Sequence, residues 1–165
     1  MTIQKITPCL SFKNNAQEAV DFYISVFPDA RILRTSHYSE VGQEQHGMPA
    51  GTVLTIEFEL AGQPFVALNG GPVFKFNEAI SLMIDCETQE EVDRYWDKLG
   101  AGGDPAAQQC GWLKDRFGLS WQVVPKGLVA MHADPDKARR DRVMAAMMPM
   151  KKLDMEELRA AYEGR

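Results

Sequence analysis

Metal-assisted or nucleophilic chemistry needs histidine, cysteine and carboxylate side chains brought together, and this sequence scatters them. His37, His46 and His132 fall in strand-end, loop and tail segments, where exposed imidazoles are expected. Cys9, Cys86 and Cys110 lie far apart, without a C-x-x-C pair. An odd number of scattered cysteines suits reduced thiols better than a disulfide framework or a zinc site. Cys110 has no adjacent base to lower its pKa, so an inert thiol is expected there.

The side chains that do stand out are amides and indoles. Gln122 alternates with Trp121 in LSWQVVP. If Trp121 packs against helices, Gln122 faces the opposite side, where a buried amide requires a ligand or water as partner. Asn69 closes QPFVALN and opens NGGP. It is either a turn asparagine tolerating a left-handed backbone or an amide reading a ligand at a cavity mouth. Trp112 and Trp121 each join a large apolar surface to one donor, suited first to core packing and second to ligand contact. Asp115 and Arg116 open a DRFG turn in which the aspartate is expected to bond its own backbone two residues on.

The elements that must carry these residues are legible. Asn15 and Glu18 form the spacing of a capping box ahead of Ala16, Ala19, Val20, Tyr23 and Phe27, which recur at helical spacing until Pro28-Asp29. Thr88 and Glu91 repeat the design ahead of Val92, Tyr95, Trp96 and Leu99, with Gly100 as the expected left-handed stop. The β-like segments ITPCLSF and ISLMIDC precede the two helices. ARILRTSH, GTVLTIEFEL and QPFVALN follow the first; after GAGGDPAA, QCGWLKD and LSWQVVP follow the second. Leu54, Ile56, Phe58 and Leu60 alternate with polar residues, and Ala61-Gly62 gives a hairpin turn. The fold class is therefore α+β. A domain over 1–127 holds two βαβββ modules, about 1–72 and 73–127, and a helical extension spans 128–165. In the extension, Asp134-Pro135 is expected to start one helix, Pro149 to end it, and Asp154 with Glu157 to start another carrying Met155, Leu158 and Tyr162.

Composition bounds the function. In 165 residues, 45% hydrophobic and 25% charged side chains exclude a mostly disordered chain. A formal charge of −5 speaks against a nucleic-acid surface over the whole domain. Residues 137–152 hold six basic side chains against one acid, without interleaved aromatics. They read as a solvated helix face docking on the acidic body. No apolar run approaches the roughly 18 residues of a membrane span, and the N-terminus lacks a signal-peptide pattern. A cytoplasmic protein without membrane or nucleic-acid partners is expected.

The paired modules resemble the vicinal-oxygen-chelate superfamily of glyoxalase I, extradiol dioxygenases and fosfomycin-resistance proteins. Within it, NNAQEAVDFY, VLTIEFELAGQPFVALNGGP, FKFNEA, QEEVDRYWDKL and CGWLKDRFGLSWQVVP are similar to the PhnB-like branch, often labelled 3-demethylubiquinone-9 3-methyltransferase. The resemblance implies curved mixed sheets and a homodimer. In metal-bearing members, four positions on the first and last strands of the modules surround a divalent ion. Alignment puts these near Pro8, Val66, Ala79 and Gln122, of which only Gln122 can ligate through its side chain. A slip of one residue introduces Cys9 or Glu78 and still no histidine. The expectation is a protein that binds a small organic molecule through Asn69, Glu78, Trp112 and Gln122, with no metal and no other cofactor. The alternative is a metal-dependent lyase, isomerase or dioxygenase whose divalent ion uses Gln122, Glu78 or His46. The methyltransferase label fits poorly. Gly70-Gly71 and Gly102-Gly103 do not join a parallel strand to a helix, and the chain is short for a seven-stranded methyltransferase sheet.

Overall fold

A computed structural model describes residues 4–165. Contacts group them into two units, one ending at Lys75 and the other spanning Phe76–Arg165. Among the described residues no helix is long and apolar enough to cross a membrane.

The first unit is a complete βαβββ module. It runs β1 (Cys9–Phe12), α1 (Ala16–Val26), β2 (Ala30–His37), a short α2 (Gln43–His46), β3 (Val53–Leu60) and β4 (Gln63–Asn69). The strand order is β1-β4-β3-β2, with β1 parallel to β4 and the other pairs antiparallel. Strand parity sorts the faces. Leu10, Phe12, Ile56, Phe58, Leu60, Phe65 and Ala67 are buried, as is the expected stripe on α1. Tyr23 stacks over Phe58, whose ring lies 5.4 Å from that of Phe65. Ala61 and Gly62 both take positive φ, the geometry of a two-residue hairpin turn. The cap of α1 differs from expectation. The Asn15 side chain makes no capping bond; the Ala16 N–H instead donates to Asn69 Oδ1 at 3.0 Å.

The second unit begins with β5 (Ser81–Cys86) and α3 (Gln89–Gly100), then a 3-10 turn at Pro105–Ala107, β6 (Trp112–Lys114) and β7 (Ser120–Pro125). Its sheet has three strands, ordered β5-β7-β6, so this module is one strand short of the first. Ahead of β6 stands an isolated bridge between Gln109 and Trp112, and Gly103 approaches so closely that a Cβ would fall 2.0 Å from the Lys114 carbonyl oxygen. Thr88 caps α3 as expected, accepting from the Glu91 N–H at 3.2 Å, while Glu91 reaches back to the Glu87 N–H. The left-handed residue after α3 is Gly102, not Gly100, which remains helical.

Three helices complete this unit: α4 (Leu128–His132), α5 (Lys137–Met147) and α6 (Met155–Glu163). Asp136, rather than Asp134, caps α5 by accepting from the Ala138 N–H. Asp134 instead accepts from the Tyr162 hydroxyl. Leu128, Val143, Leu153 and Leu158 form a buried cluster with Val124 of β7. Gln89 bonds Leu153 O and Met155 N, and the Cys110 and Gly111 amides donate to Met150 and Lys151 carbonyls.

Candidate functional site

The polar face of the second sheet follows from how Trp121 is held. Leu119, Trp121 and Val123 are buried, as are Val92, Trp96 and Leu99 on α3. Asp115 fixes this register: its carboxylate accepts from the Phe117 and Leu119 amides and from the Trp121 indole at 2.9 Å. The expected two-residue aspartate turn is present, and its second oxygen anchors the neighbouring strand. Gln122 therefore points to the opposite face. Its cross-strand partners are Met83 on β5 and Trp112 on β6. Gln122 Nε2 donates to Ser81 Oγ at 2.8 Å. Two residues earlier on the same face, the Ser120 hydroxyl is buried without a partner.

Glu78 sits beside this face rather than in it. It is exposed and pairs with Lys114, whose ammonium holds its carboxyl below the usual carboxylate range, mainly through their hydrogen bond. Ser81 is the polar group on this face that sequence reading missed. The alignment pointed to Ala79, but Ala79 precedes β5, and strand parity gives Ser81 the face shared with Gln122. In the first unit the shift is one residue. Pro8 precedes β1, and Cys9 is the strand partner of Val66.

Asn69 lies in the first unit and is 3% exposed. Its oxygen caps α1 and its nitrogen donates to Val53 O at 2.9 Å, so its amide ties three segments of that unit together. Its φ is negative, so it is not a left-handed turn residue. His46 is half-buried rather than exposed. Its Nδ1 accepts from the Met48 N–H, which leaves Nε2 to donate to Val41 O. His132 is also half-buried, at the end of α4. Burial pushes the Cys86 thiol up to about 12, aided by Glu91 and Asp85. That thiol is chemically quiet at neutral pH.

The metal of the wider superfamily can be tested against these donors. In the second sheet Ser81, Met83 and Gln122 supply one hydroxyl, one thioether and one amide. They include no imidazole or carboxylate, the groups that suit such ions. Among the described residues no three His, Cys, Asp or Glu side chains group to hold an ion. These donors do not fit the superfamily metal.

Beside the Gln122 row, α4 and the sheet flank an open groove of about 460 Å³. Met83, Asp85, Val124, Val129, Ala130 and Ala133 are among the residues that line it.

A family model described as 3-demethylubiquinone-9 3-methyltransferase matches residues 4–124. The chain belongs to that family. A Bacillus cereus member described as a PhnB protein is 37% identical over 74% of this chain and 99% of its own, with a TM-score of 0.62. A Staphylococcus aureus protein is 32% identical over 74% of this chain and 96% of its own, with a TM-score of 0.34. The fosfomycin-resistance protein FosX of Mesorhizobium loti shares the fold at 14% identity, covering 81% of this chain and all of its own, with a TM-score of 0.52. No curated protein matches the sequence. The protein is thus a PhnB-like family member with the vicinal-oxygen-chelate fold.

Proposed function

We propose that this PhnB-like protein captures a small organic molecule on the Gln122 face of its second sheet. The observation that carries the reading is the Gln122–Ser81 hydrogen bond beside a half-buried Trp112 and an exposed Met83. An amide and a hydroxyl orient a ligand while apolar neighbours supply contact area. Glu78, paired with Lys114, borders the site; Asn69 serves the architecture of the first unit. Methyl transfer is not carried over from the family description. The two sheets are mixed, with four and three strands, and the glycine pairs follow β4 and α3.

The partner proposed is a second copy of this chain. In support, β2 leaves an eight-residue sheet edge on which Ile32 and Leu33 are 41% and 47% exposed. The test of function is native mass spectrometry on protein purified without a histidine tag. Wild type is expected to retain a small organic mass, in a dimer of the 18.5 kDa chain. Gln122→Leu is expected to lose that mass while keeping its denaturation midpoint. Equal retention by both proteins contradicts the assignment, as does a stoichiometric metal whose removal abolishes capture.

A further inference from the structure

We propose that the molecule held at Gln122 is a neutral amphiphile, with an amide-type head on Gln122 and Ser81 and an apolar chain in the groove beside α4. This rests on the reading of Gln122 as a ligand contact and adds the chemical class of the ligand.

The head follows from unspent hydrogen-bonding capacity. Gln122 Nε2 donates to Ser81 Oγ, and among the described residues neither side chain makes another bond. Gln122 Oε1 is left as an acceptor, with the second Nε2 hydrogen and the Ser81 hydroxyl hydrogen as donors. A group carrying a donor beside an acceptor complements them, as the edge of an amide does. A carboxylate could accept from the two donors but would leave Gln122 Oε1 unpaired, whereas an amide N–H satisfies it. The Ser120 hydroxyl, 1% exposed and unpaired, marks the same face one row away.

The chain follows from what adjoins the head. Met83, the strand partner of Gln122, is 59% exposed and also lines the groove. The next pair on this face, Asp85 and Val124, lies about 7 Å further along the strands. From there the wall continues through Val129, Ala130 and Ala133 of the α4 segment. The groove volume of about 460 Å³ falls within the range of small-molecule pockets. Among the described residues that line it Asp85 is the one charged side chain; Lys126 is within its electrostatic reach but is paired with Glu87, so the local charge is net negative and disfavours an anion.

The test titrates the full chain with octanamide, butanamide and octanoate, using ligand-observed NMR. Each buried methylene is worth about fourfold in affinity. Octanamide is therefore expected to bind at least tenfold tighter than butanamide, and at least tenfold tighter than octanoate. Gln122→Leu should weaken octanamide about tenfold. Ala130→Trp, which fills the groove from an exposed helix position, should reduce octanamide to the butanamide level and leave butanamide unchanged. Circular dichroism checks that both variants fold. Equal binding of the two amides, both weakened by Gln122→Leu, overturns the chain assignment while the Gln122 site stands. Loss of octanamide binding in Ala130→Trp but not in Gln122→Leu overturns the Gln122 reading itself. Octanoate binding as tightly as octanamide overturns the head, and no octanamide binding at millimolar concentration overturns the proposal.

Discussion

Asn69 illustrates how far a single residue's role depends on partners that spacing cannot reveal. Its strand position was legible, yet its oxygen caps a helix 53 residues earlier, displacing Asn15 from that task. Local sequence favours the nearest acceptor, whereas packing brought a more distant one to the Ala16 amide. Asn69→Leu removes the acceptor for Ala16 N–H and the donor for Val53 O, both at a nearly inaccessible site. Stranding two backbone groups is expected to cost about 2–4 kcal/mol. Asn15→Ala, which removes no capping bond, should cost about 0.5 kcal/mol or less. Urea denaturation of the two variants decides, and equal costs would contradict the assignment. Gln122 was readable for the opposite reason. Strand parity is set locally, so opposing it to Trp121 placed it correctly, while its Ser81 partner awaited the register of β5.

Elements defined by local periodicity were read well, and those defined by tertiary crowding were not. The stripes of α1 and α3 and the alternation of β3 arise within a few residues, and they are buried as expected except for Leu54 at the start of β3, which is half-buried. Between α3 and β6 the second module has a 3-10 turn and an isolated bridge where the first has a strand, and the close approach of Gly103 to Lys114 in that segment was signalled by the glycine-rich stretch only as a loop. The junction at Cys110-Gly111 is similar. Both residues take positive φ, and their amides bond Met150 and Lys151 carbonyls. A Cβ on Gly111 would lie 2.9 Å from Leu153 Cδ1 and 3.0 Å from Val123 O. Leu153 can shift slightly; the Val123 carbonyl is held in β7 and cannot. Gly111→Ala combines left-handed strain with this collision and is expected to cost about 2–4 kcal/mol. Gly118→Ala is the control, since a Cβ there meets nothing within 4 Å and only the strain at φ +86 applies. Thermal melts should place Gly111→Ala clearly below Gly118→Ala; coincident melts would show that the α5–α6 segment does not press on this junction.

On the scale of the whole chain, the C-terminal helices belong to the second module's core although the family match stops at residue 124. The Bacillus cereus relative is covered almost entirely by 74% of this chain, so the remaining residues have no counterpart in that alignment. Here they cover Val124 with Leu128, Val143, Leu153 and Leu158. The basic run stays solvated, as its sequence suggested, and is also locally paired: Lys137 with Asp141, Arg139 with Asp134 and Asp136, and Lys152 with Asp93. Arg142 donates to the Ala161 and Tyr162 carbonyls near the end of α6. A chain ending at residue 127 is therefore expected to lose several kcal/mol, since each buried leucine or valine contributes about 1.5–3 kcal/mol. Hydrogen bonding from Lys152 holds the Asp93 carboxyl below its ordinary value of 3.8, and Tyr162 does the same for Asp134. A depressed carboxyl stabilises the folded state above its unfolded pKa and loses that contribution as pH falls through the folded value. The stability gap between the full and shortened chains should therefore be widest near neutrality and narrow as pH falls below about 3.8. Urea midpoints of both chains at pH 7 and pH 3 measure it. Equal midpoints at pH 7 would mean that these helices do not contribute to the core they cover.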